Sequence, residues 1–348
     1  MPDQRLIGTE ARPLCPLCGG TGDYLYQGLS DRLFGAPGRW NLRQCGNDHC
    51  RLLWLDPMPV ESDLAKLYST YYTHHVREGS SSAKRIYRRA IDGYLRKRFG
   101  YGADNRERMV DGILGRLLYL HPGARAEAEA RVMSVPAKAG GRLLEIGFGN
   151  AQTLLRMKEL GWQVEGVEFD PVAVGNARAL GLDVHLGSLS SVPAQPGSFD
   201  AVVSSHVIEH VPDPLGFLRD CHRLLKKSGL LVAYSPNTDS LGHRLFGRNW
   251  RGLEPPRHLH LFNSPTLLEL ARRAGFSDPT CRGTPRGGSI LLASLALSAK
   301  SHSAARTGGI AARILTELGH YVSWAALKVD RDAGEEIMLI ARKGGGAE

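Results

Sequence analysis

A chain of 348 residues with 42% hydrophobic content is long enough to bury a substantial core, so it reads as an ordinary soluble protein of two domains or of one with additions. No run reaches the roughly 18 to 20 apolar residues that a membrane span needs; the nearest, Ile290 to Ala299, is short and carries serines. The net charge is +9, yet no nucleic-acid module signature accompanies it, which argues against a nucleic-acid partner.

The opening MPDQRLIGTE has no apolar signal core, so a cytoplasmic protein is expected. Cys15-Pro-Leu-Cys18-Gly places two thiolates across a tight turn, and Cys45 and Cys50 supply a second, wider pair. Four such ligands suit a tetrahedral structural zinc site, with His49 beside Cys50 as an alternative donor. A disulfide framework is the rival reading, which a cytoplasmic setting disfavours. The metal would have no open position and would tie down a small glycine-rich segment that cannot build its own core. Residues 1–60 therefore read as a zinc-ribbon-like module ending at Asp56-Pro57-Met58-Pro59, where close prolines break regular structure.

Residues 61–135 read as a helical segment: Leu64, Leu67 and Tyr68 first, then a basic helix, then Met109 to Leu120 and an Ala/Glu/Arg-rich run. Between Lys84 and Arg108 nine Lys/Arg face three acids, while Tyr87, Ile91, Tyr94 and Leu95 recur at helical spacing. Such a basic amphipathic helix could meet a membrane surface peripherally, a phosphorylated substrate or nucleic acid. The plainer reading is a solvated face packed on the main domain. Residues 79–82, Gly-Ser-Ser-Ser, read as a flexible joint.

From 136 to 348 the pattern becomes strand, turn and helix in repetition, the mark of a parallel sheet covered by helices. Strands are expected at 142–146, 163–168, 183–186, 199–204, 229–235, 276–282 and 336–342, with helices near 151–160, 171–180, 213–226 and 264–274. Residues 289–328 interrupt the scheme with one or two extra helices, an insertion where substrate selection could reside.

The first of these strands ends in Glu145-Ile-Gly147-Phe-Gly149-Asn150, with a helix beginning near Ala151. Glycines let the backbone approach a ligand, and helix-start amides favour anionic groups. A dinucleotide-binding protein would show a similar turn, but its third glycine is replaced here by Gln152. The second strand ends in Val167-Glu168-Phe169-Asp170-Pro171, which sets a carboxylate where two ribose hydroxyls can donate to it. The fourth and fifth strands continue as His206-Val-Ile-Glu209-His210-Val-Pro-Asp-Pro and Gly229-Leu-Leu-Val-Ala-Tyr-Ser235-Pro236-Asn237.

Taken together, these motifs over about 200 residues resemble the class I S-adenosylmethionine (SAM) dependent methyltransferases, in the branch of ubiquinone-type O-methyltransferases and bacterial sugar and glycan methyltransferases. The cysteine module is similar to that of sugar C-methyltransferases. The resemblance implies a Rossmann-like α/β fold whose seven-stranded sheet has an antiparallel last strand. It also implies that Gly147 and Gly149 line the methionine end of SAM and that Glu168 holds its ribose. The family usually carries Asp after the third strand to meet the adenine amino group. This chain has Gly187-Ser188-Leu189 there, so Ser188 or backbone groups would substitute. Candidate cofactor contacts are Glu145, Gly147, Gly149, Asn150, Glu168, Phe169, Ser188 and His206.

Methyl transfer is an in-line displacement that gains most from alignment, and it needs a base only if the acceptor loses a proton. His206, Glu209, His210 and His258 are the catalytic candidates, with His260 nearby, since histidine titrates closest to neutral pH. His206-x-x-Glu209-His210 also spells an inverted zinc-protease motif, but that motif belongs on a continuous helix and Pro212 and Pro214 interrupt this one. In the ubiquinone-type enzymes, acidic and His residues at this loop can bind a divalent cation; bracing of the loop by Glu209 and His210 is the alternative. Residues 247–262 are dense in Arg, His and Trp and read as a roof over the acceptor pocket, with Arg248, Arg251 and Arg257 free to grip a phosphate or carboxylate. Ser264 is the expected cap of the helix that follows. The leading expectation is methyl transfer to O or C of a sugar, glycan precursor or lipid-linked intermediate. The alternatives are an NAD-dependent oxidoreductase and an inactive zinc-bearing binding module.

Overall fold

The structure is a computed structural model, which describes residues 7–68, 82–102, 109–299 and 310–344. Strands β1 (Thr9–Glu10), β2 (Gly22–Leu29), β3 (Trp40–Cys45), β4 (Leu53–Leu55) and β5 (Met58–Pro59) come first, followed by a 3-10 turn over Glu61–Tyr68. The helices α1 (Ser82–Phe99), α2 (Met109–Leu117) and α3 (Pro122–Ala130) come next. Of the expected joint at 79–82, only the helical residue Ser82 falls within the described residues.

The alternating part begins with β6 (Arg142–Ile146), α4 (Gln152–Glu159), β7 (Gln163–Glu168), α5 (Pro171–Ala179) and β8 (Asp183–Leu186). It continues through β9 (Phe199–Ser205), α6 (Pro214–Leu224), β10 (Leu225–Pro236) and the short α7 (Leu241–Phe246). After β11 (His260–Leu261) come α8 (Ser264–Arg273), β12 (Phe276–Thr284), the inserted pair α9 (Gly288–Ser298) and α10 (Ile310–Val329), and the final β13 (Glu336–Lys343). All seven strands expected from periodicity are present; the central β6 and β9 are near-continuous buried runs because both their faces are covered.

Those seven strands form one sheet in the order β12-β13-β10-β9-β6-β7-β8, with β13 antiparallel to both neighbours. The family resemblance implies this arrangement. One face is covered by α6 and α8 through Phe217, Leu218, Leu267 and Leu270, and the cysteine cluster packs on the same side. The other face takes Ile91, Tyr94 and Leu95 of the basic helix α1, so three residues of its expected apolar stripe pack on the main domain, while the fourth, Tyr87, is exposed.

Helix starts are set by short polar side chains. Asp170 accepts from the Val172 amide and Asp213 from the Gly216 amide, each followed by proline at the first helical position. The cap of α8 is Asn263, one residue before the expected Ser264. Its carboxamide oxygen accepts from the Thr266 amide at 2.9 Å while Thr266 Oγ1 accepts from the Asn263 amide, closing a reciprocal capping box.

The amino-terminal strands form a second sheet with a strand of the main domain, in the order β11-β4-β3-β2. Among the described residues no helix is long and apolar enough to cross a membrane.

Candidate active site

The register of the large sheet decides what meets at its carboxyl edge. Ile146 lies opposite Val167 on one side and Ser204 on the other, so the residues that follow β6, β7 and β9 emerge side by side. Gly147 turns with φ +70°, and a Cβ there would lie 2.5 Å from Val207 Cγ2, so only glycine fits under the loop that follows β9. Gly149, at φ +49°, donates its amide to Glu168 Oε2 at 3.1 Å. Glu168 Oε1 accepts from the amides of Phe169 and Asp170. The carboxylate is thus aimed at the glycine turn and keeps further acceptor capacity for hydroxyl donors.

Around this cradle the other expected cofactor contacts separate by exposure. Asn150, Phe169 and Ser188 are exposed at the edge, and Phe169 meets Tyr68 edge-on with ring centroids 5.2 Å apart. Glu145 is only 4% exposed; burial raises its carboxyl to about 8, against hydrogen bonding from Thr153, so it braces the start of α4 from below.

Beside the cradle lies a charged network. His206 sits at φ +55°, a left-handed conformation unusual for a residue with a side chain and one that recurs at functional sites. Its Nε2 is 2.7 Å from Glu336 Oε1 and its Nδ1 is 3.1 Å from Glu209 Oε1. Burial alone would depress the imidazole, but the two carboxylates outweigh it and carry it up to about 10. His206 is therefore an imidazolium at neutral pH, which sets it up to hold or donate a proton. Glu336 opens the antiparallel β13, and that reversal of direction is why it stands at the carboxyl edge of the other strands. Its second oxygen accepts from Thr284 Oγ1 at 3.2 Å and lies 3.3 Å from the Arg286 guanidinium. Burial would raise its carboxyl, yet Arg286 and then His206 hold it down to about 2. Glu209 is fully buried, and its Oε2 has no hydrogen-bond partner among the described residues.

His210 and His258 complete the cluster, with ring centroids 4.8 Å apart. His210 Nδ1 is 2.9 Å from the Arg257 carbonyl and 3.0 Å from Tyr68 Oη. His258 is 4% exposed and donates from Nδ1 to the Gly252 carbonyl at 2.7 Å; burial lowers it to about 4, so it is neutral. Glu209, His210 and His258 each offer a ligand atom within 4.8 Å of the others. His260 is fully buried in β11, beside the backbone of Val211 and not part of the Glu209–His210–His258 group.

All four catalytic candidates come together, joined by Glu336, Arg286 and Tyr68, which sequence reasoning missed. The one available signal for Glu336 was a charged residue opening an otherwise apolar strand.

The three arginines of the 247–262 run are engaged within the protein. Arg257 is fully buried, 2.7 Å from Asp31 and 3.0 Å from Glu254, and it donates to the Leu67 carbonyl. Arg251 pairs with Glu254, and Arg248 donates to the Gln27 carbonyl at 3.1 Å. Arg257 and Arg248 fasten this run to the amino-terminal segment, Arg257 because the buried carboxylates of Asp31 and Glu254 require a counter-charge.

At the end of β3 and in the turns beside the amino-terminal strands, Cys15 Sγ lies 3.7 Å from Cys50 Sγ and Cys18 Sγ lies 3.4 Å from Cys45 Sγ, all four within 4.8 Å of one another. A tetrahedron with metal–sulfur bonds of about 2.3 Å has edges of about 3.8 Å, so the donor set fits zinc. His49 is exposed and outside the cluster.

A family model described as a methyltransferase domain matches residues 120–278. The ubiquinone biosynthesis O-methyltransferase of Xanthomonas campestris pv. campestris is 37% identical over 135 residues, covering 37% of this chain and 55% of that protein. The chain thus spans little more than half the length of that curated relative. The protein of the same name from Cereibacter sphaeroides is 33% identical over 180 residues, covering 48% of this chain and 72% of the relative. The chain belongs to the class I SAM-dependent methyltransferases. Among solved structures, phosphoethanolamine N-methyltransferase 2 of Haemonchus contortus, in complex with SAM, is similar at 21% identity with a TM-score of 0.46, over 84% of this chain and 63% of that one. In this methyltransferase the glycine turn and Glu168 occupy the first two strand ends, and the His206 network occupies the fourth and the last.

Proposed function

We propose that this chain transfers a methyl group from SAM to an oxygen or carbon of a small-molecule acceptor: a sugar, a glycan precursor or a lipid-linked intermediate. The observation that carries the reading is the Gly149 amide held on Glu168 at the sheet edge, beside the His206–Glu336–Glu209 network. Gly147 and Gly149 leave room for the methionine end, and Glu168 accepts from the ribose hydroxyls. Phe169, Asn150 and Ser188 flank the nucleoside.

The displacement itself needs alignment above all. His206, kept cationic by two carboxylates, orients the acceptor and stabilises developing negative charge. His210 is the proton acceptor, with Nδ1–H committed to the Arg257 carbonyl and Nε2 left with its lone pair. The unpartnered Glu209 Oε2 supports a second reading, in which Glu209, His210 and His258 hold a divalent cation. Such a cation would polarise the acceptor oxygen and lower its pKa. Activity that survives chelation selects the first reading; activity lost on chelation with the cysteine-bound zinc still present by metal analysis, and restored by magnesium or manganese, selects the second.

We assign the four cysteines to a structural zinc ion, in keeping with their sulfur spacing. Metal analysis should give one zinc per chain, and a metal-free protein with native stability would refute this. The enzymatic reading is tested by calorimetry with SAM and by mass spectrometry for the gain of one methyl group across nucleotide sugars, glycan oligomers and phenols. Absence of SAM binding would end it.

A further inference from the structure

Behind the His206 network, on the face of the sheet covered by α1 and α3, lies a cavity of about 520 Å³, a size typical of small-molecule sites. Five cations line it: Arg98 of α1, Arg125 of α3, Arg282 of β12, Arg286 just beyond β12, and Lys328 of the inserted α10. Glu129 is the one acid among the lining residues. Its charge is already answered by Arg282 at 3.6 Å and by the Tyr94 hydroxyl, which donates to it. Arg286 is likewise shared between Glu127 and Glu336. Arg98, Arg125 and Lys328 have no carboxylate partner among the described residues.

Several of these cations rest on aromatic faces. Arg125 stands 5.8 Å from the Tyr119 ring centroid, Arg286 5.9 Å from Tyr234, and Lys328 5.3 Å from Trp324. Such contacts place a cation without neutralising it. A concave site with one sign of charge and low-dielectric walls concentrates ligands of the opposite sign. A single carboxylate is satisfied by one guanidinium, whereas three unanswered cations with two partly answered ones behind them call for a group of at least two negative charges. The aromatic walls supply flat apolar surface for whatever that group is attached to.

We infer that this cavity is the anion subsite of the acceptor and that it takes a phosphate ester, as a monophosphate or diphosphate. Arg286 is the joint between subsite and chemistry: it lines the cavity and pairs with Glu336, which holds His206. His206 does not itself line the cavity, so a phosphate seated on Arg125 and Lys328 is linked to it through Arg286 and Glu336. That the ligand is the methyl acceptor rests on the reading above, whereas anion binding by the cavity does not. The phosphate could belong to a soluble sugar phosphate or to a lipid phosphate, and the chemistry of recognition is the same.

Calorimetry on the full chain, with inorganic pyrophosphate, a hexose 1-phosphate and farnesyl phosphate in non-ionic detergent, tests this. The wild type is compared with the Arg125→Gln/Lys328→Gln double variant and with Arg88→Gln, a control on an exposed residue outside the cavity. Lys328 and Arg88 are exposed and Arg125 is half-buried, and matched melting curves establish that the variants fold. The expected result is binding of a phosphate-bearing probe that the double variant weakens at least about tenfold, that Arg88→Gln leaves alone, and that added salt weakens. Preference for the hexose ester over the farnesyl ester, or the reverse, names the source of the phosphate. SAM affinity is measured on the same samples and should be equal in all. If SAM fails to bind while pyrophosphate binding depends on Arg125 and Lys328, the cofactor reading falls and the anion site stands. If no probe binds below about 1 mM, or the double variant binds as well as the wild type, the subsite is refuted whatever SAM does.

Discussion

The two halves of the sheet edge are built on different principles. At β6 and β7 the carboxyl edge is mostly backbone: a glycine turn, helix-start amides, and one carboxylate already hydrogen-bonded to three amides. At β9, β12 and β13 it is side chain, with His206, Glu209, Glu336 and Arg286 held in place by one another's charge. A backbone cradle tolerates no added atoms but has little to lose electrostatically. A buried charge network tolerates changes of shape but not the loss of a partner. The first half suits an invariant cofactor, and the second suits chemistry that differs between relatives of one fold.

The sharpest way to break this contrast is to remove one member of the network. Glu336→Gln keeps the shape and takes away the charge shared by His206 and Arg286, and it should destabilise the fold by about 3 kcal/mol. Chemical denaturation would measure this. SAM affinity, read by calorimetry under native conditions, should change by less than about threefold. If SAM binding collapses as well, the halves are one unit and the contrast is wrong.

The converse change is Gly147→Val. The added Cβ meets Val207 and the backbone must hold a left-handed turn, so SAM affinity should fall by about 100-fold or more. The fold should survive, because the turn is at the edge and the sheet register does not depend on it. Unaltered SAM affinity would show that the cofactor does not sit on this turn.

The same contrast explains which parts of the molecule are legible in the amino-acid sequence. The glycine turn, Glu168 and all seven strands are local patterns of apolar period and turn chemistry, so sequence alone exposes them. The network is not local: His206 and Glu336 are 130 residues apart, and Arg257 reaches Asp31 across 226. The 247–262 run misled for that reason. Its arginines read as free ligands although Glu254, three residues from both Arg251 and Arg257, is a local partner; the remote partners Asp31 and Gln27 lie in the amino-terminal segment, and nothing in the spacing points there. The left-handed turn at His206 was equally hidden, since a histidine carries no such mark.

A milder test belongs to the cofactor half. Phe169 is 54% exposed and touches Tyr68; if it covers the nucleoside, Phe169→Ala should weaken SAM by about tenfold. Stability should barely move, because little of the ring is buried in the free protein. A loss of stability with no loss of affinity would make it a packing residue instead.

The smallest effect expected is the pH dependence of stability contributed by His206. Its imidazole is raised from 6.5 to about 10 by Glu209 and Glu336, against burial. The folded state therefore holds the proton more tightly than the unfolded one between those values. The stabilisation is complete below about 6.5, declines as pH rises, and is gone above about 10. Because the side chain is 36% exposed, solvent screening reduces its size. The carboxylates work in the opposite sense. Glu336 is held at about 2, so its contribution is lost only as pH falls from the ordinary carboxyl range toward that value. Melting curves should thus decline gently from neutral to alkaline pH, by less than one proton's worth of slope. In His206→Gln that part of the decline should vanish while the acid limb remains. An unchanged alkaline slope in the variant would mean that His206 is neutral in the folded state, and the acceptor half of the edge would then have to find its positive charge in Arg286 alone.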